Sequence, residues 1–129
     1  HYTGFEIKII PDLKNTAKLS QEQQKIEEGK LILKEVQNTD LVILLDEKGR
    51  SYTSVQFAKY LEQHMNNAVK NLVYVIGGPY GFSEEIYNRA QGKISLSTMT
   101  FSHQMVRLFF VEQIYRAYTI MKGEPYHHE

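Results

Sequence analysis

Cysteine is absent from the chain, which excludes disulfide frameworks, thiolate nucleophiles and every cysteine-based zinc site. Any chemistry has to come from oxygen, nitrogen or a bound cofactor. No run approaches the roughly 20 apolar residues that a membrane-crossing helix needs, and no charged-then-apolar leader opens the sequence. The expectation is a soluble cytoplasmic protein with no membrane association. A dominant charge is missing as well: 15 basic residues balance 15 acidic ones, and neither half strays from balance by more than one charge. Composition alone therefore does not announce a nucleic-acid binder, which usually carries a basic excess. Internal repeats, low-complexity tracts and linkers are also lacking.

What is present is the size and balance of one compact domain, residues 1–129, with 42% hydrophobic and 23% charged residues. FEIKII at 5–10 alternates and ends at Pro11, so it reads as a strand with one buried face, and 11–19 reads as a loop. Ser20 with Gln23 makes a capping-box pattern that predicts a polar helix to about Val36, its apolar residues sparse and interrupted by Gly29. LVILLD at 41–46 is a continuous apolar run with turn chemistry directly behind it, the mark of a strand buried on both faces of a parallel sheet. Thr53 with Gln56 predicts a second capped helix, on which Phe57, Leu61 and Met65 share a face, with Asn66 and Asn67 at its end.

LVYVIGG at 72–78 predicts another buried strand that runs into Gly77, Gly78, Pro79 and Gly81; Ser83-Glu84-Glu85 then starts a short helix that Gly92 would end. KISLSTMTF at 93–101 alternates imperfectly and gives way at Ser102 to a long, unusually apolar helix over about 103–121. Strands and helices thus alternate, which predicts an α/β fold: a parallel sheet with helices on both faces and a ligand at the carboxyl ends of the strands. Three such ends carry small or turn-forming residues: Leu45-Asp46, Gly77 to Gly81, and Ser97 to Ser102.

IGGPYGFS at 76–83 is the sharpest local signal, because glycines at a strand end let backbone N–H groups approach a ligand without obstruction by Cβ. It has neither the Gly-Lys-Ser/Thr of a P-loop nor the spacing of a dinucleotide site. A tight strand-to-helix turn with nothing bound would look the same. SLSTMTFSHQMVR at 95–107 can offer Ser95, Ser97, Thr98 and Thr100 to an adenine and a ribose, but taken alone it reads first as an ordinary loop in which Ser102 caps the next helix. In that helix apolar residues exceed one stripe, so it needs cover on two sides, for which a second subunit is the natural candidate. Glu112 and Arg116 stand four apart and read as a plain surface pair. The adjacent His127 and His128 are poorly placed to share a metal, and no metal site is expected.

Taken in order, LLD at 44–46, IGGPYGFS, LSTMTFSHQMVR, EQIYRAYTI and the terminal PYHHE resemble the RlmH family of SPOUT-type methyltransferases, over essentially the whole chain from Phe5 onward. The resemblance implies a C-terminal trefoil knot, one of the rare exceptions to the rule against threading, and a homodimer that holds S-adenosylmethionine in the knotted region. At the matching positions, cofactor binding would fall to Leu45, Gly78, Ser97, Thr98, Met99, Thr100, Phe101 and Ser102, which are the same three strand ends. The implied reaction is methyl transfer to N3 of a pseudouridine in large-subunit ribosomal RNA, with the assembled ribosome as substrate. Because the sulfonium already activates the methyl group, the protein has to align donor and acceptor and help the N3 proton leave. His103, Arg116, Tyr126 and His127 match the family positions for that work. Docking shared among RNA, ribosomal protein and two subunits would account for the neutral composition.

The chain departs from the family pattern at Tyr80, where an acid is common, at Ser102, where proline is usual, and at His128, where arginine or lysine is usual. It also starts without the family's first strand and helix, so an N-terminally shortened form is expected. Two other readings are a ribosome- or RNA-binding module that keeps the fold without catalysis, and a generic nucleotide-binding α/β enzyme suggested only by element order and Gly77-Gly78.

Overall fold

The computed structural model describes residues 13, 16–67, 71–78 and 80–128. The strand expected at FEIKII lies outside the described residues. A 3-10 turn at Thr16–Lys18 leads into α1 (Gln21–Glu35); β1 (Leu41–Ser51), α2 (Ser54–Asn66), β2 (Leu72–Ile76), α3 (Glu84–Arg89), β3 (Gly92–Ser95) and α4 (His103–Lys122) follow. Both expected capping boxes form. Ser20 accepts the Gln23 N–H and Thr53 accepts that of Gln56, while each glutamine side chain reaches back to the cap N–H. These reciprocal bonds satisfy amides that have no partner inside the helix, and the loss of such a cap costs about 1 kcal/mol. Gly123, in the left-handed region at φ 69°, ends α4.

The three described strands form a parallel sheet in the order β2-β1-β3. Because successive strand residues point to opposite faces, β1 feeds two cores. Ile43 and Leu45 join Phe57, Leu61, Phe110 and Ile114 on the face covered by α2 and α4. Val42 and Leu44 join Val75, Phe82 and Ile86 on the other face, against which Ile32 and Leu33 of α1 and its C-cap Val36 pack. Helices on both faces explain why the first half of β1 is apolar at every position.

Two boundaries differ from the sequence reading. Gly92 does not end α3, which stops at Arg89 with Ala90 as its cap; it opens β3. The turn expected after Asp46 is an excursion within β1: Leu45 pairs with Ile94, the chain bulges through 46–49, and Arg50 pairs with the same Ile94 before Ser51 pairs with Ser95. Gly49 makes the re-entry possible, since a Cβ there would lie 2.7 Å from the backbone of Ile94 and of Lys93.

Two tyrosines are anchored in these layers. Burial first, and then neighbouring tyrosines, push the Tyr74 phenol far above its ordinary value. The Tyr87 phenol is pushed up to about 12, first by burial and then by its hydrogen bond to the Asp46 carboxylate within the bulge. A raised phenol value means that the fold favours the protonated form, so this contribution is complete below 10.0 and is lost as pH rises from there towards 12. In an ultraviolet titration of tyrosinate, Tyr87→Phe should remove a late-ionising tyrosine and flatten the alkaline fall in stability; an unchanged late phase would contradict the Asp46 contact.

Candidate functional site

Parallel pairing sets the site's frame. Leu45 is in register with Ile76 on one side and with Ile94 on the other, so Asp46, where β1 bulges, Gly77, which follows β2, and Ser95, the last residue of β3, lie towards the same edge of the sheet. The three segments singled out in the sequence therefore start from one edge of the sheet. Leu45 itself is only 8% exposed and packs in the core, which leaves its backbone as the part that can face a ligand.

At the second strand end, Gly78 and Gly81 form an isolated bridge in which the Gly81 N–H donates to the Gly78 carbonyl at 3.2 Å. Gly81 has a φ of 84°, a conformation that suits glycine. The two glycines before it answer to protein neighbours. A Cβ on Gly77 would stand 2.9 Å from the Phe82 ring, and one on Gly78 would stand 2.7 Å from the Glu28 carboxylate of α1. The missing side chains at these two positions make room for Phe82 and Glu28.

After β3 the expected alternation to 101 does not continue as a strand, because the hydroxyls bond the local backbone instead. Ser95 Oγ donates to the Ser97 carbonyl at 2.9 Å, and Ser97 Oγ accepts the Met99 N–H at 3.0 Å. Thr98, Met99, Thr100, Phe101 and Ser102 are exposed. Ser102 caps α4 by accepting the Met105 N–H, and Phe101 packs edge-on against Phe109 at 5.1 Å. This pinned loop is one wall of an open cleft of about 330 Å³; Ser97 and Phe101 face Thr53 and Ser54 at the start of α2, with Glu112 and Gln113 of α4. The cleft mixes aromatic surface with a few polar groups, and its volume is near the lower end for small-molecule sites. Leu45 and Gly78 do not line this cleft.

Glu112 connects the cleft to the C-terminal segment. Its Oε1 accepts from Arg116 Nε at 3.0 Å and Nη2 at 2.7 Å, and from the Tyr126 hydroxyl at 3.2 Å; its Oε2 accepts from Gln113 Nε2 at 3.1 Å. Ser54 Oγ donates in turn to Gln113 Oε1 at 2.9 Å. The Arg116 guanidinium also lies over the Tyr126 ring at 4.9 Å and places Nη1 3.0 Å from His127 Nδ1. A guanidinium has only donors, so Nδ1 accepts there and the ring proton of a neutral His127 sits on Nε2. Arg116, Tyr126 and His127 are thereby brought together around a carboxylate that sequence reading took for half of a plain surface pair. His103 does not join them: it is exposed at the first position of α4, about 20 Å from Arg116 at the helical rise per residue.

Comparison with known proteins adds a second line of argument. The family described as "Predicted SPOUT methyltransferase" matches residues 1–127. Proteins named ribosomal RNA large subunit methyltransferase H are similar along the whole chain: that of Christiangramia forsetii is 63% identical and that of Flavobacterium johnsoniae 61%, each over 99% of this chain and 82% of the relative. The protein of that name from Bacteroides fragilis is 57% identical over 100% of this chain and 82% of its own length. With a match that spans both the sheet edge and the Glu112 cluster, the chain belongs to the SPOUT methyltransferase family, in the branch of the ribosomal RNA large subunit methyltransferase H proteins.

Proposed function

We propose that the protein methylates N3 of a pseudouridine in large-subunit ribosomal RNA, using S-adenosylmethionine and taking the assembled ribosome as substrate. The observation that carries this reading is the cleft in which the loop after β3 faces Glu112, the residue on which Arg116 and Tyr126 converge. The names of its relatives point to the same reaction class. S-adenosylmethionine supplies, when bound, a methyl group already activated by the sulfonium. Ser97, Thr98, Met99, Thr100, Phe101 and Ser102, with the backbone of Leu45 and Gly78, would hold it. Glu112 fixes the Arg116 guanidinium, which can orient a base or phosphate by its planar fork. The His127 imidazole would receive the N3 proton, or the Tyr126 hydroxyl would relay it to Glu112.

A homodimer is part of this proposal. Met105, Leu108, Phe109 and Tyr115 of α4 are exposed, together with Met99 and Phe101 in the loop before it; an apolar patch of this kind marks an interface, and a two-fold partner would cover it. The single domain, the trefoil knot of the family and a cytoplasmic location complete the reading. Among the described residues no helix is long and apolar enough to cross a membrane.

The test is calorimetric titration of S-adenosylmethionine and S-adenosylhomocysteine, followed by transfer of labelled methyl to ribosomes that lack the modification. Saturable binding with label appearing in large-subunit RNA is the expected result. Binding to ribosomes without transfer would favour a non-catalytic module, and preference for ATP or a dinucleotide would overturn the cofactor assignment.

A further inference from the structure

We infer that Glu28 is a positioning residue for the cofactor turn: its carboxylate, delivered from α1, braces Gly78 and fixes where that strand end presents its backbone. The inference rests on the proposed cofactor role of Gly78. Three observations carry it. Next to Glu28, the buried Gly29 brings α1 directly onto the start of α3, where a Cβ would stand 2.9 Å from Ser83 Oγ and 3.1 Å from Ile86. With α1 seated so closely, both Glu28 oxygens enter the space a side chain on Gly78 would occupy, 2.7 and 2.9 Å from its Cβ position. Glu28 Oε2 accepts from Gln24 Nε2 at 3.2 Å, whereas Oε1 is buried and has no partner among the described residues.

An acceptor buried without a donor opposes folding. An apolar side chain at position 28 would avoid that cost, so packing alone does not explain a carboxylate there. A polar brace gives something an apolar one does not: a carboxylate packed into the space beside Gly78, oriented by the Gln24 amide through Oε2. The Gly81 N–H bond to the Gly78 carbonyl closes the turn on itself, and Glu28 fixes the closed turn against α1. A cofactor held by backbone groups is sensitive to displacements of the order of an ångström, so a brace at this point acts on affinity without touching the ligand.

The experiment measures S-adenosylmethionine affinity by calorimetry, with thermal melts alongside, for the native chain, Glu28→Gln, Glu28→Ala, Gly78→Ala and the double variant Glu28→Ala/Gly78→Ala. Glu28→Gln keeps the volume and an acceptor and should stay within about threefold of native, whereas Glu28→Ala and Gly78→Ala should each weaken binding about tenfold or more. In the double variant the new methyl enters the space that Glu28 has left, so affinity should fall little below that of Glu28→Ala, a coupling of about tenfold. Such compensation in affinity is not produced by general loss of stability. Native affinity in Glu28→Ala, or losses that simply multiply in the double variant, would overturn the inference. If Glu28→Ala does not fold, native affinity in Gly78→Ala overturns it, and loss there together with near-native binding by Glu28→Gln supports it. A native chain that binds no S-adenosylmethionine overturns the cofactor reading, and the inference with it; binding by the native chain with unaffected variants overturns the inference alone.

Discussion

Gly49→Ala is expected to cost about 3 kcal/mol or more of folding stability, at the severe end for a single methyl. The added carbon would lie 2.7 Å from the Ile94 nitrogen and carbon and from the Lys93 carbon. Unlike a side-chain tip, these backbone atoms cannot swing aside, because β3 is held by β1 on both sides of the bulge. Relief would require either the loss of the Arg50 and Ser51 pairings or a shift of β3. Equilibrium denaturation in urea measures the effect. Gly123→Ala is the comparison: Gly123 also cannot easily be replaced, with φ at 69°, but nothing lies within 4 Å of its Cβ position, so only conformational strain of about 1 kcal/mol is expected. Equal costs at the two positions would show that the close approach to β3 has no energetic weight.

Glu112→Ala should reduce methyl transfer to ribosomes about a hundredfold or more while leaving the melting temperature nearly unchanged. The variant removes the shared acceptor of Arg116, Tyr126 and Gln113 at once. Arg116 would keep only its contacts to the Tyr126 ring and to His127, and the Tyr126 hydroxyl would lose its acceptor on α4. Stability should barely register the change, because the ion pair is a quarter to a third exposed and pairs in that setting contribute about 1 kcal/mol or less. Glu112→Gln, which retains an oxygen acceptor for Tyr126, should recover part of the rate. Single-turnover transfer from labelled S-adenosylmethionine is the measurement, and a rate within a few-fold of native in Glu112→Ala would remove the carboxylate from the site.

The parts of the fold that were legible in the sequence are those set by local chemistry or by one-dimensional pattern. The capping pairs Ser20 with Gln23 and Thr53 with Gln56 fix helix starts because all of the hydrogen bonds involved lie within three residues. The LVILLD segment announced a strand buried on two faces, since neither an amphipathic helix nor a surface strand needs five apolar residues in succession. Legibility fails where a residue's state depends on a distant partner. The polar stretch after Asp46 reads as a turn, and only pairing with β3, more than 40 residues on, makes its last residues a strand. The hydroxyl-rich segment after Ser95 reads as an alternating strand until its hydroxyls turn inward to its own backbone.

The candidate site divides in the same way. Its three strand ends could be found from small residues after apolar runs, and parallel register brings them to one edge. The residues that organise it were hidden. Glu28 lies 50 positions before the glycine it touches, on a helix whose polar residues read as solvated. Glu112 showed only its partner one helical turn away, because the Tyr126 contact requires the chain to fold back after Gly123. Small residues mark where a backbone passes closely; the sequence does not say what it passes.

The double pairing of Ile94 with Leu45 and Arg50 also bears on the order in which the molecule is put together. Residues 46–51 have no sheet partner of their own until β3 has been made, and β3 is separated from them by α2, β2 and α3. Non-local pairings of this kind form late, since the entropy of closing the intervening chain must be met before the contact gives anything back. Tyr52, Thr53 and Ser54, which follow directly on the strand, line the cleft. The chain is therefore expected to build much of its hydrophobic layers before its cleft exists, with the pairing that completes the cleft among the later folding events.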